Sequence, residues 1–153
     1  MPEKQTLRRA ARDKRQGKAP TTQAGEFIRE EMHHIREGKH GARSAKQAVA
    51  IGLSKARRAG VELEPPAKGT VSEKTRKSAS RDYARGHGAP ARQRTTAKRA
   101  KASERALQRE PKSSASRRAL AKRAHQAASH RSPAQRAASA RKAAHTRQSM
   151  TRP

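Results

Sequence analysis

The sequence predicts a mainly α-helical protein. It combines a small antiparallel helical hairpin and a basic N-terminal arm with a long, largely disordered or conditionally helical tail rich in Arg, Lys and Ala. Three observations carry this. Bulky apolar residues recur at helical spacing chiefly between residues 22 and 60. The 153-residue chain is only 31% hydrophobic, most of that alanine, with one Phe, one Tyr and no Trp. Against 12 Asp and Glu stand 39 Lys and Arg, a formal net charge of +27. Alanine buries too little surface to offset an ordering cost of about 1–2 kcal/mol per residue. Low hydrophobicity with high net charge is the composition of disordered chain.

Residues 1–21 form the basic arm. Within it, residues 3–16 read as a short helix with Pro2 in its first turn and Gly17 at its C-cap. Leu7 is its only bulky apolar residue, so the helix is expected to fray when free. Residues 22–60 form the hairpin. Thr22 is the expected N-cap of a helix running to about Glu37, with Gly38 after its end. Ala24, Phe27, Ile28, Met32 and Ile35 share one face of it. Gly38 to Gly41 make a turn, and Ser44 with Gln47 reads as a capping box. The second helix runs from Ala45 to about Ala59, and Gly60 stops it. Its apolar face is Ala45, Ala48, Val49, Gly52, Leu53 and Ala56, with Ile51 on the flank, and its small residues would let the first helix approach closely. A short connection makes the pair an antiparallel hairpin. At about 40 residues it sits near the lower limit for folding alone, so a homodimer through Phe27, Ile28, Met32 and Ile35 is an expected partnership.

Residues 61–90 read as a linker opening on Pro65-Pro66, and residues 91–153 as a low-complexity tail. Charge divides at the same place. The first 64 residues hold 15 Lys and Arg against 8 Asp and Glu; the remainder hold 24 against 4, with no acid after Glu110. Pro90, Pro111 and Pro133 cut the tail into segments, and Ser132-Pro133-Ala134-Gln135 reads as cap, first-turn proline and capping-box glutamine. Repulsion between close like charges opposes helix in the free tail, so helices are expected to form there on binding a polyanion. Two internal echoes suggest duplicated units that bind a nucleic-acid backbone. Thr6–Pro20 aligns with Thr75–Pro90 through Thr, Ala, Arg-Asp, Gly and Ala-Pro, and Ser103–Leu107 aligns with Ser116–Leu120.

Such a chain seeks a polyanion. A membrane surface would require bulky apolar anchors that the basic half lacks, which leaves nucleic acid. The expected phosphate contacts are Lys98, Arg99, Lys101, Arg105, Arg109, Arg117, Arg118, Lys122, Arg123, Arg131, Arg136, Arg141, Lys142 and Arg147. The hairpin offers Lys46, Lys55, Arg57 and Arg58 as further contacts, although the last three also stand where a helix C-terminus favours cations. Two aromatics are too few for a base-stacking module. Glu30-x-x-His33 has the spacing of carboxylate-bridged metal bundles, but one pair does not make such a site, and Glu31-x-x-His34 points elsewhere. His33, His34 and His40 are therefore read with the two glutamates as a solvated polar face, and no metal or cofactor is expected. His87, His125, His130 and His145 in the basic half would add charge at low pH.

No P-loop, G-x-S-x-G, H-E-x-x-H or cysteine occurs, so the chain is not expected to be an enzyme. No apolar run of about 18 residues and no stretch like a signal peptide occurs, which predicts a soluble, cytoplasmic and nucleoid-associated protein. The expected function is non-sequence-specific DNA binding, as a nucleoid-associated or DNA-compacting accessory protein. Two alternatives stand beside it: a ribosome- or RNA-associated basic protein, and a protein-interaction hairpin whose tail is secondary.

The stretch Thr21–Ser44 followed by Lys46–Gly60, with the later Arg105-Ala-Leu-Gln-Arg-Glu-Pro111 segment, resembles a bacterial family of small, highly basic proteins catalogued only as a domain of unknown function. The resemblance implies a bacterial source and no particular activity. In composition alone, the tail resembles those of linker histones and bacterial histone-like proteins, with Arg favoured over Lys and few prolines.

Overall fold

The computed structural model describes residues 1–90 and 96–150. Those residues form seven α-helices and one 3-10 turn, with no strand among them: α1 Lys4–Arg15, α2 Pro20–Glu37, α3 Ala45–Arg58, α4 Glu73–Gly86, α5 Ala97–Gln108, the 3-10 turn Lys112–Ala115, α6 Arg117–Ser129 and α7 Pro133–Met150. The chain divides into two compact units, Met1–Ser116 and Arg117–Pro153.

In the first unit α2 and α3 pack along their apolar faces, α1 packs on α2, and α4 packs on α3. Phe27 is fully buried in a cluster with Ala10, Ala24, Ala56 and Val61, flanked by Leu53 and Leu63. The close approach of α2 and α3 depends on Gly52. A Cβ added there would lie 2.8 Å from the Ile28 Cα, a backbone atom that cannot swing aside. Ser44 caps α3 by accepting from the Gln47 N–H at 3.2 Å, and the Gln47 side chain accepts from the Arg43 N–H at 2.9 Å.

The N-terminus of α2 differs from expectation. The helix starts at Pro20 after Ala19, and no side chain caps it. Thr22 lies inside the first turn, its N–H donating to Ala19 O at 2.9 Å. Proline at the first helical position removes a donor that would otherwise be unpaired, so the helix begins without a hydroxyl cap. α1, expected to fray, buries Thr6, Ala10 and Asp13. Phe27, Met32 and Ile35, offered by the sequence as a dimer face, are already covered within the chain, and Ile28 is half-buried.

Residues 61–90 hold more than a linker. Ser72 caps α4 through the Thr75 N–H at 3.3 Å. The helix buries one residue, Ala79, and meets α3 through polar contacts as well as a close backbone approach of Gly86 to Arg57: Ser54 Oγ donates to Asp82 at 2.5 Å, and Arg58 Nε lies 3.8 Å from the same carboxylate. A hydropathy pattern cannot announce a helix that docks in this way. The echo between Thr6–Pro20 and Thr75–Pro90 thus corresponds to α1 and α4. The matching alanines, Ala10 and Ala79, are each 6% exposed. The matching aspartates, Asp13 and Asp82, are held by Lys18 and Ser54.

The first unit also reaches further than residue 90. Gly41 N–H donates to Leu107 O at 2.8 Å and Ala42 N–H to Pro111 O at 3.3 Å. Arg36 Nε donates to Ala115 O at 3.0 Å. Ser114 and Ala115 are buried. The turn after α2 has backbone donors with no helical partner, and residues 107–115 supply the acceptors. In the second unit, Ser132 and Gln135 form a reciprocal capping box, with bonds of 3.0 and 3.2 Å, at the start of α7. α6 buries no residue, and residues 133–148 of α7 are exposed throughout.

Candidate nucleic-acid interface

Lys98, Arg99, Lys101 and Arg105 lie on α5, with Arg109 just past its end. Arg117, Arg118, Lys122 and Arg123 lie on α6, Arg131 follows it, and Arg136, Arg141, Lys142 and Arg147 lie on α7. All are exposed except Arg123, which is half-buried. On α7 the basic positions fall around the helix rather than along one face, because spacings of five, one and five residues do not match a 3.6-residue turn. Such a helix presents charge on every side and defines no base-reading face.

The four cations proposed on the hairpin part company. Lys46 is exposed, and Arg58 is exposed beside Asp82. Arg57 is 7% exposed; its Nε donates to Leu63 O at 3.0 Å and its Nη2 to Glu64 O at 3.4 Å. Burial pushes its guanidinium below the ordinary value, and the Asp82 carboxylate partly opposes the shift. Arg57 therefore fastens the segment after α3 and is withdrawn from any phosphate. Lys55 is withdrawn as well, its side chain 16% exposed between Glu30 and Glu31.

Two cationic stripes were missed. Lys4, Arg8, Arg12 and Arg15 follow one another along α1, and Lys74, Lys77, Arg81 and Arg85 along α4; all are exposed. Their three- and four-residue spacings keep each set on one face over about 16 Å of helix. The stripes are related by the echo, since Arg8 matches Lys77 and Arg12 matches Arg81. The spacing was available in the sequence, but knowing which face is free required the packing of Ala10 and Ala79.

The expected solvated face of glutamates and histidines is largely inside. Glu30 is 6% and Glu31 1% exposed. Glu31 Oε1 lies 2.6 Å from His40 Nε2, and its Oε2 lies 2.7 Å from Lys55 Nζ. That ion pair is buried, with the Lys55 side chain 16% and the Glu31 side chain 1% exposed. Lys55 also reaches Glu30 Oε1 at 3.4 Å, and Glu30 Oε2 accepts the Glu3 N–H at 3.2 Å. His34 Nε2 contacts Glu3 Oε1 at 2.8 Å, and the His34 and His40 rings meet edge to face with centroids 6.1 Å apart. Only His33 stays in solvent, beside Glu37. Glu31-x-x-His34 therefore does not point away from the cluster. One helical turn brings the two residues together, and the turn after Gly38 adds His40.

Comparison with known protein families, curated proteins and solved structures finds no match for the chain.

Proposed function

We propose that the chain binds nucleic acid through its phosphates without reading base sequence, with duplex DNA as the main target, as a cytoplasmic, nucleoid-associated or DNA-compacting accessory protein. The observation that carries this is the charge balance after Glu110, where no Asp or Glu occurs in the sequence, so that the basic side chains of α6 and α7 are not offset by acidic side chains of their own unit. Each phosphate they neutralise releases a condensed counterion. In this reading α2 and α3 form the antiparallel hairpin that scaffolds the stripes of α1 and α4. α6 and α7, which bury so little, are conditionally helical, their repulsion relieved on the polyanion. The role is binding and not catalysis.

A salt titration of the full chain tests the proposal. With about ten phosphates neutralised, log K against log salt should fall with a slope near −9 on duplex DNA. A flat response rejects it. Tighter binding to structured RNA at equal salt moves the target from DNA to RNA, and helical circular dichroism should rise when duplex is added.

A further inference from the structure

We propose that Glu31, His34 and His40 form a binding site for a divalent transition-metal ion of the zinc type, which ties the turn after α2 back onto that helix. The site goes beyond the nucleic-acid reading and does not depend on it. Their ligating atoms all lie within 4.8 Å of one another. Two imidazoles and one carboxylate are a donor set that suits zinc and leaves a fourth position for water.

Three further observations point to an ion. His40 Nδ1 lies 3.1 Å from Gly41 O, and in the tautomer that donates there Nε2 keeps its lone pair for an ion. Nε2 stands 2.6 Å from Glu31 Oε1, so the two candidate ligand atoms already face each other and an entering ion would replace their direct contact. Glu31 is 1% exposed, so its carboxylate is held away from bulk water. Lys55 stands beside Oε2 at 2.7 Å, which holds the carboxylate and leaves Oε1 for the ion. His34 in turn has Glu3 Oε1 2.8 Å from its Nε2, the carboxylate partner that metal-ligating histidines commonly carry.

The side chains of His34 and His40 are 12% and 17% exposed, so an ion and a water reach the site from the surface. Ligands around tetrahedral zinc stand about 3.3 Å apart, so the Glu31–His40 pair must open slightly as the ion enters. The backbone after His40 is held by Leu107 and Pro111, so the shift falls on the partly exposed His40 side chain.

The test uses the full chain stripped of metal and titrated near neutral pH with Zn2+ alone, followed by calorimetry. Co2+ serves as a spectroscopic probe of tetrahedral ligation. One equivalent should bind, with the visible absorption of four-coordinate cobalt and a rise in melting midpoint. His34→Gln and His40→Gln should each weaken binding by more than about tenfold and abolish the rise in melting midpoint. The combined replacement of His33, His125, His130 and His145 by Gln should change neither. No saturable one-to-one binding in the native chain overturns the proposal and leaves Glu31–His40 a plain charge pair. So does binding that survives both His34→Gln and His40→Gln, or that is lost when His33, His125, His130 and His145 are replaced. Far-ultraviolet circular dichroism of each variant checks the fold, and the stoichiometry of the native chain stands whether or not a variant folds.

Discussion

Lys55 arrives in the last turn of α3 with a helix C-terminus behind it and two carboxylates before it. Its position in the sequence suits a phosphate contact as well as it suits a helix end. Burial decides between them, because Glu30 and Glu31 would otherwise be charged and enclosed. Removing one partner of a buried pair leaves the other uncompensated, at a cost of about 3–5 kcal/mol. Lys55→Met is therefore expected to lower the urea-unfolding free energy by that order, whereas Lys46→Met, on an exposed side chain, should stay within about 0.5 kcal/mol of the native protein. Glu3 supplies a pH signature. The His34 hydrogen bond, followed by the Lys39 contact, holds its carboxyl below the ordinary value of 4.5. A carboxyl whose value is lower in the folded than in the unfolded chain adds stability above the unfolded value, and loses it as pH falls through the folded one. The urea midpoint should consequently drop as pH is lowered below about 4.5. Glu3→Gln should make that drop smaller without removing it, since Glu37, Glu62 and Glu73 are lowered in the same way by Lys39, Lys14 and Arg76.

Among the helices, glycine separates packing from propensity. Gly25 sits in α2 with nothing within 4 Å of an added Cβ, while Gly52 sits in α3 against the Ile28 backbone. Alanine is favoured over glycine inside a helix by about 0.5–1 kcal/mol, and an overfilled contact costs about 1–3 kcal/mol. Gly25→Ala should raise the melting midpoint and Gly52→Ala should lower it. If both move the same way, α2 and α3 do not approach at Gly52. α2 and α3 were legible because Phe27, Ile28, Met32, Ile35, Val49 and Leu53 mark their faces. α4 was not legible, because Ala79 is its only buried residue and its dock on α3 includes a serine, an arginine, an aspartate and a glycine backbone rather than a bulky apolar face.

At the scale of the molecule, the compact unit that holds the core ends at Ser116, well beyond the hairpin. Residues 1–116 contain every buried side chain among the described residues, and a chain cut after Ser116 is expected to keep a cooperative thermal transition. It loses the cations of α6 and α7, so its affinity for duplex DNA should fall. Its salt slope should become shallower by about one unit for each phosphate that is no longer neutralised. Unchanged affinity and slope would place the binding surface on the first unit alone.

The excess of cations, the poverty of apolar surface, the helical character and the glycine stops at residues 17, 38 and 60 were fixed by composition and local pattern, which depend only on neighbours in the chain. Tertiary structure alone decided which charges face solvent. Arg57 and Lys55 turn inward while Arg8 and Lys77 stay out. Glu31, His34 and His40 converge, and residues 107–115 leave the tail to satisfy the turn at Gly41. Burial and hydrogen-bond satisfaction are properties of what lies across a gap in space, and no local pattern in a sequence this rich in alanine and arginine records them.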